Sequence, residues 1–331
     1  MEDTTMPYRK SIVQNIQREA KLCHCPSIVE AKKGDLLCVW YEGAYETSPD
    51  TVLKGSFRRK NTSKWHSQRV VLKVPSVPLG NPVLFREGSN IYLIFSLLIR
   101  ESWEWSLLCM SKSMDEGETW LEPTMFFPRL GSMAKTKPIK LKSGRIIVPF
   151  YNEGELCPYV TIADDINRCL GAPFVAETMA RGKVMQPAVV ELERDRLLML
   201  CRSNRGTLWK SMSYNGGMSW SICKPTNLLN PYSAVDLIKI RTGELLLAFN
   251  NSSTDRYSLS IALSEDEGVT WSHLRDIVRE TEGEFSYPSM IQDARGVIQL
   301  VYTENRYKIN HVSFELKWIK EKPLDTPILT D

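Results

Sequence analysis

Long apolar runs are missing: nowhere in the 331 residues do about 18 consecutive apolar side chains occur, so no membrane-spanning helix is expected. The start, Met1-Glu2-Asp3-Thr4-Thr5, lacks a basic stretch followed by an apolar one, which reads as no secretory signal and a cytoplasmic location. Charge of one sign is scarce too. The 42 basic residues nearly balance the 39 acidic ones, and the basic clusters, Arg58-Arg59-Lys60 and Lys317 to Lys322, are short, so neither nucleic acid nor a membrane surface is an expected partner. The chain has few histidines, 4 in all, and its 8 cysteines are scattered, several inside apolar runs such as Leu36-Leu37-Cys38-Val39-Trp40. Cys23-His24-Cys25 is too tightly spaced for an ordinary zinc pair and has no second cluster to complete it. We expect buried free thiols, no metal and no cofactor.

What the sequence does have is repetition. The octet S-x-[DN]-x-G-x-[ST]-W occurs as Ser113 to Trp120, Ser213 to Trp220 and Ser264 to Trp271, with worn copies at Asn61 to Trp65 and Ala163 to Arg168. Its chemistry is that of a tight turn, in which the Asp or Asn side chain bonds the amides ahead of it and the tryptophan packs beneath. A second ladder, a turn residue followed by an apolar strand, recurs at Gly34, Gly88, Gly144, Asp195, Gly243 and Gly296, at a period of about 50 residues. Upstream of each lies a short strand opening on proline or a small residue: Pro26, Pro82, Pro138, Pro187, Ser233 and Pro288. Six such units, with almost no helical pattern, predict an all-β, six-bladed β-propeller with Asp-type turns. It should form a single domain over residues 1–331, with repeats over about 18–316. A short terminal segment, Ile12 to Ile16 or Ile309 to Phe314, should close the ring.

A propeller binds ligands where the innermost strands begin. The residues preceding the strand openings are Cys25, Asn81, Lys137, Gln186, Tyr232 and Tyr287, with His24 one step further back. These should converge on one channel mouth as a largely polar ring, which suits a small-molecule or glycan substrate. Trp40, Tyr41, Tyr45 and Trp103 are the aromatic residues expected near it.

The octets are Asp boxes, and over nearly its whole length the chain resembles the sialidase (neuraminidase) superfamily of BNR-repeat propellers. Met185 to Leu192, running into Leu198-Met199-Leu200-Cys201-Arg202-Ser203, is similar to the segment that carries a catalytic glutamate and the second arginine of a carboxylate-binding triad. Asp255 to Ser260 resembles the segment of the third arginine, and Phe285-Ser286-Tyr287-Pro288 that of the nucleophilic tyrosine. The resemblance therefore implies Arg202 and Arg256 as substrate-binding, Tyr287 as catalytic, and Asp50 in the place of the general acid. It departs at two positions: His24 replaces the first arginine and Gln186 replaces the glutamate. Imidazole cannot copy the bidentate grip of a guanidinium, and an amide cannot take the tyrosine proton. The expected catalytic set is thus non-standard, drawn from Asp50, Tyr287, His24 and Gln186, with Arg202, Arg256, Asn81, Lys137, Tyr232 and Arg306 around the substrate.

Three functions fit such a pocket. One is a glycosidase-type enzyme acting on an acidic or deoxy sugar. Another is an intracellular isomerase, lyase or cyclase of small-molecule metabolism, using His24 and Tyr287 for proton transfer. The third is a non-catalytic carbohydrate-binding propeller.

Overall fold

The computed structural model describes residues 8–16, 21–169, 184–321 and 329–330. These form six antiparallel sheets arranged as the blades of a propeller. Blade one is Leu22–Glu30, Leu36–Gly43, Val52–Arg58 and Arg69–Leu72. Blade two is Leu79–Glu87, Asn90–Leu98, Ser106–Ser113 and Thr124–Phe127. In blade three the innermost strand is broken into Ser132–Met133 and Ile139–Lys140, both paired with Ile146–Asn152, outside which lies Cys157–Ala163. Blade four is Val184–Glu193, Arg196–Ser203, Thr207–Ser213 and Lys224–Leu229. Blade five is Asp236–Lys239, Leu245–Phe249, Ser258–Ser264 and Thr270–Arg279, with Leu329–Thr330 on its outer edge. Blade six is Phe285–Gln292, Ile298–Glu304 and Lys308–Phe314.

Closure comes from Tyr8–Asn15, which pairs antiparallel with Lys308–Phe314, Tyr8 opposite Phe314 and Asn15 opposite Lys308. Both segments singled out in the sequence thus belong to one blade, the early one capping the late one. This leaves the edge of blade six paired instead of exposed.

Each blade is sandwiched between two others, so both faces of its inner strands are covered. That is why Leu36–Gly43 is buried at every position instead of alternating. Among the described residues one apolar cluster lies at each blade junction. Leu37, Val39 and Tyr41 meet Leu84, Leu93 and Phe95 between blades one and two, and Leu198, Leu200 and Ala188 meet Leu237, Leu247 and Phe249 between blades four and five. Seven of the eight cysteines are described as free, and all seven are buried in such packing; the Cys169 side chain lies outside the described residues.

The Asp boxes close the hairpins between third and fourth strands. In Ser264 to Trp271, Asp266 Oδ1 accepts from the Thr270 amide at 2.8 Å, Ser264 Oγ accepts from the Gly268 amide at 2.7 Å, and Trp271 is buried. Gly268 sits at φ +84°, and a Cβ there would lie 2.7 Å from Leu198 of the preceding blade. The box therefore seals one blade against the next and stays far from the channel.

Candidate active site

The innermost strands of blades one, two, four and six enter the channel through the same distortion. Their pairing with the second strand slips between His24 and Ser27, Gly80 and Val83, Met185 and Ala188, and Ser286 and Ser289. At the slip, or just before the strand in blade five, Cys25, Asn81, Gln186, Tyr232 and Tyr287 hold positive φ values between 46° and 55°. None is glycine. A left-handed residue with a Cβ is strained, and five at one repeat position mean that the surrounding ladder imposes the kink.

The kink brings these side chains into contact across blades. The Tyr151 hydroxyl of blade three accepts from Asn81 Nδ2 at 3.2 Å and Gln186 Nε2 at 3.0 Å, leaving Gln186 Oε1 buried without a partner. Arg202 Nη1 lies 3.4 Å from the Tyr287 hydroxyl, and its guanidinium sits 4.5 Å over the Tyr232 ring. The His24 ring packs 4.3 Å from that of Tyr287 and edge-on to Tyr41. His24 Nδ1 shares a 3.0 Å bond with Thr303, and its Nε2 is buried and unpartnered. Beneath lies a small apolar floor of Met133, Tyr151 and Met185, flanked by Trp103, Leu156 and Tyr232. The six-membered ring of Trp103 packs against Gly80, where a Cβ would come 2.5 Å from it. Tyr45 is exposed and Trp40 is buried in the junction of blades six and one.

Lys137 is not part of this mouth. Counting to the residue before Pro138 assumes an unbroken inner strand, but in blade three residues 134–138 lie between its two halves. Lys135 takes the place instead: its ammonium donates to the Pro288 carbonyl at 3.1 Å and lies 5.6 Å over the Tyr287 ring. Lys137 donates to Ser289 Oγ and faces Asp236 at 3.8 Å, deeper in the channel.

Asp50 is also placed differently from expectation. Its carboxylate accepts from the Ala44 amide at 3.0 Å and Ser48 Oγ at 2.5 Å, bonds that hold its pKa below the ordinary range and commit it to its own loop. The carboxylate which that loop sends inward is Glu46, bonded to Tyr41 at 3.2 Å and Arg306 at 2.6 Å. Arg306 and Arg256 in turn share Glu284, at 2.9 and 2.8 Å, and Arg256 also donates to the Tyr232 carbonyl. The four form a charge-balanced rim. Burial alone would raise the Glu284 carboxyl, but His24, Arg306 and Arg256 together bring it down to about 2, so it stays ionised.

The channel centre is not balanced. Arg202 is 7% exposed and Lys135 5%, and neither has a carboxylate partner among the described residues. Burial drives His24 down to about 3, with Arg306 adding to the effect, so its imidazole is neutral. Among the described residues outside the rim, Glu153 is an acid whose carboxyl burial raises while the Arg202 charge draws it down. Burial pushes the Cys25 thiol up to about 11, which leaves it protonated and inert. Among the described residues no three His, Cys, Asp or Glu side chains gather as a metal site.

A family model described as a BNR repeat-like domain matches residues 34–300. The chain belongs to that family. A protein named "Sialidase" from Bacteroides fragilis (strain YCH46) is 23% identical over 346 aligned positions, covering 89% of this chain and 62% of that protein, so the chain spans less than two thirds of its relative. The NanB sialidase from Streptococcus pneumoniae superposes with a TM-score of 0.76 at 12% identity, over 95% of this chain and 71% of the other. The intramolecular trans-sialidase from Ruminococcus gnavus does so with 0.74 at 14% identity, over 92% and 96%. At these identities the likeness is one of fold. Within this BNR repeat-like propeller, the residues that sequence reasoning missed are Lys135, Tyr151, Glu153 and Glu284. Only Glu284 carried a signal, three residues ahead of Tyr287 and opposite the basic turn at Asn305-Arg306.

Proposed function

We propose that this propeller is a glycosidase-type enzyme whose channel mouth takes an acidic sugar. The observation that carries the reading is the pair of buried cations with no carboxylate partner among the described residues. Burying an unpaired ammonium and guanidinium is costly, and an incoming carboxylate repays it with charge-assisted hydrogen bonds. Arg202 and Lys135 flank Tyr287 and would place the acid group beside its hydroxyl. The apolar floor of Met133 and Met185 and the face of Trp103 suit the uncharged body of a sugar. Glu153 is the proton donor we favour, because its raised carboxyl faces the same centre, whereas Asp50 is held ionised in its turn.

Among the described residues no carboxylate is bonded to Tyr287 that could take its proton, and Gln186 donates its amide to Tyr151. This favours attack by water or elimination over a covalent tyrosyl sugar. It also supports a second reading, in which the same mouth runs a lyase or isomerase reaction on an acidic small molecule, with the neutral His24 and its free Nε2 moving the proton.

Aryl glycosides of sialic and uronic acids provide the test. Release of the aryl alcohol should occur, and kcat/KM should fall roughly 10- to 100-fold in Arg202→Met and Lys135→Met. Binding of the free acids with no turnover of any acidic glycoside would move the assignment to the second reading. Failure to bind any acid would sink both.

A further inference from the structure

The innermost strands run from the Tyr287 mouth to the other end of the channel. From Tyr287 to Gln292 is five steps, or about 16 Å at 3.3 Å per residue. At that end the strands of blades three to six open into a cavity of about 540 Å³. Its walls are two-natured. Ile139, Ile238 and Ile291 line it and remain half-buried, so apolar surface is left uncovered there. Around them stand five cations, Lys137, Lys140, Lys142, Lys239 and Arg241, against two carboxylates, Glu191 and Asp236.

Two of the five are ion-paired, Lys140 with Glu87 at 3.2 Å and Lys137 with Asp236 at 3.8 Å; among the described residues Lys142, Lys239 and Arg241 have no carboxylate within ion-pair distance. Lys239 donates to the Leu192 carbonyl, and Arg241 to the carbonyls of Asp293 at 2.7 Å and Ala294 at 3.2 Å. These bonds fix the cations in place without cancelling their charge. Lys142 is exposed on its hairpin tip. Glu191 is occupied by the Lys142 amide at 2.8 Å, and Asp236 by the Met290 amide at 2.6 Å. Lys137 closes the inner wall through Ser289, and its burial brings its ammonium down to about 8 although Asp236 pulls it up.

We propose that this end of the channel is a second ligand site, for a small amphipathic anion. The acid head would lie against Lys142, Lys239 and Arg241, and the apolar body on Ile139, Ile238 and Ile291. The volume falls within the range of small-molecule pockets, and a mostly apolar lining with a few fixed polar groups is their usual make-up. The site is separate from the Tyr287 mouth, shares no residue with it, and stands whatever reaction the mouth performs.

The test uses 8-anilinonaphthalene-1-sulfonate on the intact chain, followed by fluorescence, beside its uncharged relative N-phenyl-1-naphthylamine. The sulfonate should bind saturably, and the uncharged relative at least tenfold more weakly. Lys142→Glu should weaken the sulfonate severalfold and Lys142→Glu/Arg241→Gln tenfold or more, while the thermal melt stays cooperative. Arg202→Met, at the other end, should titrate as the parent does. Absence of saturable binding, equal binding of the two probes, an unchanged titration in Lys142→Glu, or loss of binding in Arg202→Met would each overturn the proposal.

Discussion

Two regions of this propeller repeat around the ring, and they repeat opposite things. The Asp boxes on the outside share their side chains: Ser, Asp or Asn, Gly and Trp recur because the turn is built from those groups. The kinked positions at the mouth share their backbone instead. Cys25, Asn81, Gln186, Tyr232 and Tyr287 adopt one left-handed conformation with five different side chains. Where side chains repeat, they hold the fold; where only the backbone repeats, the side chains are released for chemistry. The two regions should therefore respond to mutation in opposite directions.

The widest separation is expected from Arg202→Met. Affinity for an acidic ligand should drop roughly 10- to 100-fold, while the urea midpoint stays put or rises, because a buried cation with no counter-ion among the described residues is removed. Loss of stability alongside loss of binding would erase the distinction. Gly268→Ala should do the reverse. A Cβ 2.7 Å from Leu198 at a positive φ should cost about 2–4 kcal/mol in denaturant unfolding, with ligand affinity unchanged.

Acid should also affect the two regions at different pH. His24 folds with its pKa lowered to about 3, below the unfolded value near 6.5, so the unfolded chain binds the extra proton in that window. Its contribution to stability is complete above pH 6.5 and is lost as pH falls towards 3, at up to about 1.4 kcal/mol per unit. His24→Gln should flatten that slope by close to one proton, read from urea unfolding at pH 7, 5.5 and 4. Burial is the largest single influence on the Asp266 carboxylate and raises it, but its bonds to Thr270 and Ser264 together bring it below the ordinary value, so it contributes above the ordinary Asp range and loses its share only below about pH 4. The smallest effect should be that of Asp115→Ala, about 1 kcal/mol for an exposed turn whose Thr119 amide and hydroxyl lose their acceptor, with no effect on binding.

The same contrast explains what the sequence made legible. Side-chain repeats such as Ser264 to Trp271 can be counted directly, and the strands that open on proline, or on Ser233 in blade five, give six blades and the ring position of Asn81, Gln186, Tyr232 and Tyr287. Backbone repeats are legible only while the strand is regular. In blade three the inner strand breaks between Met133 and Ile139, so the count arrives at Lys137 where the chain delivers Lys135. Asp50 and Glu46 lie on one loop, and its turn bonds, which no periodicity encodes, decide which of them faces inward. Glu153 and Glu284 are single acids outside any repeat, and they gain meaning only from Arg202 and Arg256, which approach from other blades, and from Arg306, on the next hairpin of Glu284's own blade.

The central claim is that Arg202 and Lys135, which have no carboxylate partner among the described residues, await an acid group. Calorimetric titration of a uronic or sialic acid beside its uncharged methyl ester, in the parent chain and in Arg202→Met, tests this most directly. The account predicts that the acid binds at least tenfold more tightly than the ester in the parent chain, and that this preference collapses in the variant. Equal affinity for acid and ester in the parent chain would contradict it.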